Sequence, residues 1–489
     1  MHAQALLPLV ALLPVTHAAE TILGLYIFSR HGDRTDKSHS PTVLTDLGYQ
    51  DVYTSGQYFR EQYIAASATA RIAGISSDVV NNAQLTAQAP DDLVLLNSAQ
   101  GFLQGLYPPV GTSLGSQSLR NGTVAQSPLN GYQLIPVHLV ESGAGSEDSA
   151  WLQGTTGCLK STASSNEYFS TPEYLDLKAK TDGFYRSLSP IINGTFTEDQ
   201  TSFKNAYAIF DVLNVASIHN KTINSSNLLT DEVLSQTRTL ADQHEFNLAF
   251  NASEAVRAIA GATLAAQIVQ QLNDTITTAG KKSVGIQFGA YGSFLSFFGL
   301  AQLTNANPQF FGIPDYASTM TFELFTTGPA TPFPSADDVQ VRFLFHNGTT
   351  SNISTPAPFP LFGQNQTTLP WSTFASEMDK FAVGTQEQWC STCGNNTGMC
   401  AAAAAPSASN AAAPATSSSS DSGMSLPVAG VIGAMVTLAV LLGLEALFML
   451  LAGFRLVRAP RASAASVGGV APVVGQEDVD LDHKERASA

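Results

Sequence analysis

Arg30-His31-Gly32-Asp33-Arg34-Thr35 sets two guanidiniums on either side of one imidazole in a single short segment. Guanidiniums stay charged at any biological pH and fork onto phosphate oxygens. An imidazole lone pair between them can attack the phosphorus of a bound ester. The product is a phosphohistidine, which water then cleaves. In that chemistry Arg30 and Arg34 bind phosphate and stabilise charge on the transferring group, with His31 as the nucleophile. Gly32 lets the backbone approach the anion closely.

No second constellation competes with this one. His39, His219 and His346 are scattered without metal-ligand spacing, so neither a metal nor a cofactor is expected. His138 lies in the apolar run 135–140 and reads as a structural, hydrogen-bonded histidine. Glu323 lies inside a strand-like run and reads as one half of a buried pair.

The motif needs a scaffold that holds it at a strand end. Residues 21–28 form a continuous apolar run suited to a central strand covered on both faces. Thr45 can cap a helix starting near Asp46, in which Tyr49, Val52, Phe59 and Tyr63 recur at helical spacing. Residues 121–280 read as mostly helical, and strands return at 283–288, 318–325 and 339–345. This order predicts an α/β fold. Its core, residues 19–120 and 281–400, is a mostly parallel sheet flanked by helices, and residues 121–280 are a mostly helical insertion.

The chain ends point to the secretory pathway. Residues 1–18 read as a signal peptide. Residues 428–454 are apolar except for Glu445, long enough to cross a bilayer, and Arg455, Arg458 and Arg461 follow. That predicts one membrane helix and a cytoplasmic tail, 455–489, with an Ala/Ser-rich stalk at 401–425. Ten glycosylation sequons all precede the apolar run: Asn121, Asn193, Asn220, Asn224, Asn251, Asn273, Asn347, Asn352, Asn365 and Asn395. Cys158, Cys390, Cys393 and Cys400 are the disulfide candidates. The favoured pairing joins Cys158 to one member of the C-terminal cluster and the other two to each other. Of 489 residues, 39 are Asp or Glu and 23 are Lys or Arg, a net charge of −16 that argues against a nucleic-acid partner. The sequence leaves the oligomeric state undetermined.

The chain resembles the histidine acid phosphatase family over residues 22–400. The resemblance rests on the 30–35 motif, on Leu44-Thr45-Asp46-Leu47-Gly48, on the 101–109 stretch GFLQGLYPP, on Ile135-Pro136-Val137-His138 and on Phe322-Glu323-Leu324. It implies an α/β domain of phosphoglycerate mutase-like fold with a mostly helical second domain. It also implies acidic cleavage of phosphomonoesters without a metal, with His31 as nucleophile and Arg30 and Arg34 on the phosphate. Where the family carries a third arginine, in Arg-Ser-Thr-Asp, this chain has Ile75, with Arg71 nearby as a substitute. Where the family carries His-Asp, for phosphate binding and leaving-group protonation, it has Tyr291 and Gly292. His244-Glu245 imitates that dipeptide at the wrong place in chain order. Asp33, Glu141 or another carboxylate is left to supply the proton.

Losing one arginine is worth roughly 10–150-fold in rate, and losing a positioned acid about 10²–10⁴-fold. The expectation is therefore a membrane-anchored phosphatase with altered or weak catalysis. The alternatives are a pseudo-phosphatase that binds phosphate or a phosphorylated ligand, and a glycoprotein using the fold as a scaffold. The acidic balance favours a small phosphomonoester, or one phosphate on a bulky partner, over phytate.

Overall fold

The computed structural model describes residues 20–140, 157–219 and 228–401. The signal at 1–18, the apolar run 428–454 and the tail 455–489 lie outside them, as do Glu141, Asn220, Asn224 and all of the stalk but its first residue. Among the described residues no helix is long and apolar enough to cross a membrane.

The apolar run at the start becomes strand β1 (Thr21–Arg30), nine of whose ten residues are buried. Thr45 caps helix α1 (Asp46–Phe59) as the sequence predicts, its hydroxyl accepting from the Gly48 N–H. Strand β2 (Leu85–Pro90) and helix α2 (Leu93–Leu106) follow. Single turns α3 (Gly111–Leu114) and α4 (Pro128–Gly131) flank a hairpin of β3 (Ser116–Ser118) and β4 (Val124–Gln126). After β5 (Val137–Val140) comes a run of helices: α5 (Leu159–Glu167), α6 (Pro172–Ser187), α7 (Ser189–Ile192), α8 (Ala206–His219), α9 (Asp231–Ala249) and α10 (Ile259–Thr277). Then come β6 (Val284–Gly289), α11 (Tyr291–Leu300), β7 (Thr319–Thr326), β8 (Gln340–His346), β9 (Ala357–Pro358) and β10 (Thr368–Pro370). Helices α12 (Trp371–Asp379) and α13 (Gln386–Cys393) close the described chain.

The sheet order is β10-β8-β7-β1-β6-β2-β5, with β9 on β8. Strands β1, β6, β2 and β5 run parallel; β7, β8 and β10 alternate antiparallel on the other side of β1. This is the expected α/β fold, with its parallel strands making up one side of the sheet and the antiparallel strands the other. Strand β5 falls inside the 121–280 range read as insertion, yet it pairs with β2. His138 on β5 is exposed rather than built into a core, because β5 is the sheet edge.

Side-chain alternation along β1 feeds two cores. Leu25 and Ile27 pack with α1 and α2 through Val52, Phe59, Ala99 and Phe102. Tyr26 and Phe28 pack with α10, α11 and β7 through Ile268, Phe294, Phe297 and Phe322. Glu323 finds the partners expected of it: Arg342 Nε at 2.6 Å and the Tyr63 hydroxyl at 2.6 Å. Burial first, and that carboxylate second, push the Tyr63 phenol well above its ordinary range.

The disulfides are Cys158–Cys393 and Cys390–Cys400, the favoured pattern. The first ties the start of the helical run to the last helix. None of the sequon asparagines among the described residues is buried.

Candidate active site

β1 ends at Arg30, so the motif leaves the sheet at the carboxyl end of a central parallel strand, where open α/β sheets build sites. The loop then folds back onto the start of α1. A Cβ on Gly32 would lie 2.1 Å from the Gly48 carbonyl oxygen, and one on Gly48 2.0 Å from that of Asp33. Both positions must therefore be glycine for the loop to nest on α1.

The three predicted side chains come together around one ring that sequence reading missed. Tyr316, on the loop before β7, has its ring 4.7 Å from the Arg30 guanidinium carbon and 5.8 Å from that of Arg34. The His31 ring centroid lies 5.5 Å away. Burial pushes the Tyr316 phenol up, so it stays protonated. No local pattern marks Tyr316; only the pairing of β7 beside β1 brings it there.

His31 is fully buried. Its Nδ1 lies 2.8 Å from the Gly32 carbonyl oxygen. A carbonyl only accepts, so Nδ1 carries the proton and the lone pair resides on Nε2. That is the tautomer a nitrogen nucleophile needs. Arg30 is nearly fully buried, donates to the Pro314 carbonyl and also lies 5.5 Å from the Tyr291 ring.

Arg34 is fully buried and already engaged. Asp211, on α8, takes its fork with contacts of 3.0 and 3.2 Å. The Tyr207 hydroxyl lies 3.1 Å from Nη2, and Asp211 also accepts the Lys37 N–H. Burial alone would lower the Arg34 pKa, but the Tyr207 and Asp211 oxygens outweigh it and hold it above its ordinary value. Asp33, one residue back, accepts from the Thr45 hydroxyl at 2.5 Å and meets His219 Nε2 at 2.6 Å. Helix α8 thus clasps the motif loop at two points.

A cavity of about 330 Å³ opens beside these groups, lined by Arg30, Tyr207, Asp211, Arg238 and Tyr316 among others. His31 and Arg34 are not part of its lining. Arg238 is paired with Asp315 and Asp242, so the cavity wall carries both signs of charge.

Ile75 does not stand at this site. Ala73 hydrogen-bonds to Ile22, near the start of β1. Arg30 lies eight residues further on, roughly 26 Å at ~3.3 Å per residue. Ile75 is buried among apolar side chains, and Arg71 is exposed and donates to the Ile75 carbonyl. The strand reaching the site from that part of the chain is β2. Its Gln88 is in register with Gln287, and Gln287 with Phe28, on the same face as Arg30. Ile75-Ser76-Ser77-Asp78 matches the family motif by residue type alone, because those residues precede the strand.

Tyr291 and Gly292, by contrast, begin α11 directly after β6, and Tyr291 reaches the site. The Tyr291 ring lies 4.6 Å from that of Tyr207. Its hydroxyl donates to Glu245 Oε2 at 2.8 Å.

Asp51, on α1 behind the loop, has its carboxyl pKa raised, chiefly by burial. A raised folded-state pKa means the native state binds the extra proton. Asp51 therefore contributes stability that grows as pH falls from neutrality through that raised value. In denaturant melts between pH 4 and 7, the stability of wild type relative to Asp51→Asn should increase as pH falls; a difference that does not change with pH refutes the assignment.

A family model described as histidine phosphatase superfamily (branch 2) matches residues 35–346. The match opens at Thr35, directly after the guanidinium–imidazole cluster. The chain is 24% identical over 378 residues to the lysosomal acid phosphatase of Xenopus laevis, covering 74% of this chain and 77% of that protein. Among solved structures, the phytase of Citrobacter braakii superposes with a TM-score of 0.50 at 11% identity, over 76% of this chain and 99% of that one. At that identity the likeness concerns the fold alone.

Proposed function

The chain belongs to the histidine phosphatase superfamily, branch 2, and from that membership and the site geometry we propose a phosphomonoester hydrolase working through a phosphohistidine at His31. The observation that carries this is the His31 tautomer: Nδ1 is tied to Gly32, which leaves the nucleophilic lone pair on Nε2. Arg30 faces the cavity and binds the phosphoryl group. Arg34 is shared with Asp211, so the cradle has less positive charge to offer than two unpaired guanidiniums, and catalysis is weak. The mixed charge of the cavity suits one phosphate on a small alcohol better than a polyphosphate.

The chain enters the secretory pathway and is held by the apolar segment 428–454, with its glycosylated body lumenal or extracellular. Similarity to a lysosomal enzyme and two disulfides support that setting. The same Asp211–Arg34 pair favours a second reading, a pseudo-phosphatase that binds a phosphorylated ligand without turnover.

Acid quenching of the full chain with ³²P-labelled phosphomonoester separates the two. Label on wild type that is absent from His31→Ala supports the enzyme. Saturable binding with no label supports the second reading. Neither label nor binding overturns both.

A further inference from the structure

Much of the donor capacity of the motif is spent on the protein itself. The Arg34 fork is taken by Asp211, and Arg30 donates to the Pro314 carbonyl. Tyr291 stands where the family carries its second phosphate-binding histidine, but its hydroxyl is turned to Glu245. Three donors around one ring are not spent in this way. Arg30 Nε and Arg34 Nε are buried without a hydrogen-bond partner among the described residues. The Tyr316 hydroxyl has no hydrogen-bond partner among them either. Native folds leave few such groups unpaired, and a ligand acceptor is one ordinary explanation. An anion with several oxygens can offer one to each donor.

Tyr316 is placed to reach such an anion. It lines the same cavity as Arg30. Its ring lies 4.7 Å from the Arg30 guanidinium carbon and 5.5 Å from the His31 ring. After burial, the groups that act on its phenol are Arg34, Asp211, Arg30 and Tyr207, all gathered at the motif. Burial prevails over the arginines, so the phenol keeps its proton and is a neutral donor. It arrives from the loop before β7, on the opposite side of β1 from β6 and Tyr291.

We propose that the Tyr316 hydroxyl is a phosphate-binding group of this enzyme, donating to an oxygen of the phosphoryl group held at Arg30 and supplying the donor that Tyr291-Gly292 lacks. The inference rests on the phosphatase reading above. The proton stays on Tyr316 throughout. The hydrogen bond steadies a negative oxygen in the bound ester and during transfer to His31, and it does not serve the leaving oxygen.

The test is Tyr316→Phe in the full chain, which keeps the ring against Arg30 and His31 and removes only the hydroxyl. That hydroxyl has no protein acceptor, so the melting temperature in phosphate-free buffer should match wild type. The variant's kcat/KM should fall ~10–150-fold, the worth of one hydrogen bond to a charged group. The fall should be equal for 4-nitrophenyl phosphate, whose leaving group needs little protonation, and 2-glycerophosphate, whose leaving group needs it fully. Titration calorimetry with inorganic phosphate should show Kd raised at least ~10-fold. Unchanged activity and phosphate affinity overturn the assignment, because the ring alone then suffices. A loss confined to 2-glycerophosphate overturns it, because the hydroxyl then serves the leaving oxygen. A lower melting temperature without phosphate overturns it as well, because the hydroxyl then has a structural partner. A wild-type chain that binds phosphate but neither turns over nor labels overturns the phosphatase reading, and the phosphate Kd alone then decides for or against Tyr316. One that does not bind phosphate overturns both.

Discussion

Asparagine in place of Asp211 is expected to cost the folded chain about 3–5 kcal/mol in phosphate-free buffer, and added phosphate should return much of that loss. Arg34 is fully buried and Asp211 nearly so. Removing the carboxylate leaves a desolvated guanidinium facing an amide whose N–H₂ is itself a donor. The Lys37 N–H loses a strong acceptor as well. With its charge no longer neutralised, the Arg34 guanidinium attracts a phosphate held at Arg30, across the shared Tyr316 ring, more strongly than in wild type. Phosphate at a hundred times its Kd stabilises by about 2.7 kcal/mol. Thermal melts of wild type and Asp211→Asn, with and without inorganic phosphate, check this. The variant should melt lower and gain more from phosphate than wild type does. If it melts lower but gains no more, Arg34 is a structural cation, and phosphate binding at this motif rests on Arg30 alone.

Aspartate in place of Gly292 should raise turnover of unactivated phosphomonoesters. Gly292 lies in the first turn of α11, and a Cβ built there meets nothing within 4 Å. It lines the same cavity as Tyr291 and Glu245. A carboxylate in a first helical turn is favourable with the helix dipole and replaces a poor helix former. Folding is therefore not the obstacle. A positioned carboxylic acid is worth ~10²–10⁴-fold. An acid placed without further optimisation should reach the lower part of that range, so the expected gain in kcat on 2-glycerophosphate is ~10–10²-fold. Nitrophenyl phosphate should respond little. A Gly292→Asp chain with no gain on the alkyl ester would show that this cavity does not receive the leaving group.

Local patterns carried much of the fold. The apolar run of β1, the Thr45 cap, the strands around residues 283–345 and the charged residue inside β7 each have a short-range signature, and each is found in place. The cysteine pairing was readable because oxidation leaves few options for four thiols. The site was legible only where its residues are neighbours in sequence: Arg30, His31 and Arg34. What surrounds them arrives from far along the chain. Tyr316 comes through the antiparallel pairing of β7, and Asp211 through the docking of α8. Amphipathic spacing shows that a helix has a buried face, but not which loop that face will meet. Glu245 has no local signature beyond the imitation dipeptide, because chain order says nothing about which side chains share a cavity. Ile75 failed for the complementary reason: residue types matched a motif at a position where the strand that would place them had not yet begun.

The bond between Cys158 and Cys393 joins residues 235 apart in sequence and so closes a covalent ring. Helices α8, α9 and α11, and the loop bearing Tyr316, all lie within it. Inside an intact ring, a single cut by a protease in any surface loop opens the circle without producing a fragment able to diffuse away. The groups gathered about His31 can then survive one scission, and it is reduction of the sulfurs rather than the first cleavage that would let the pieces separate.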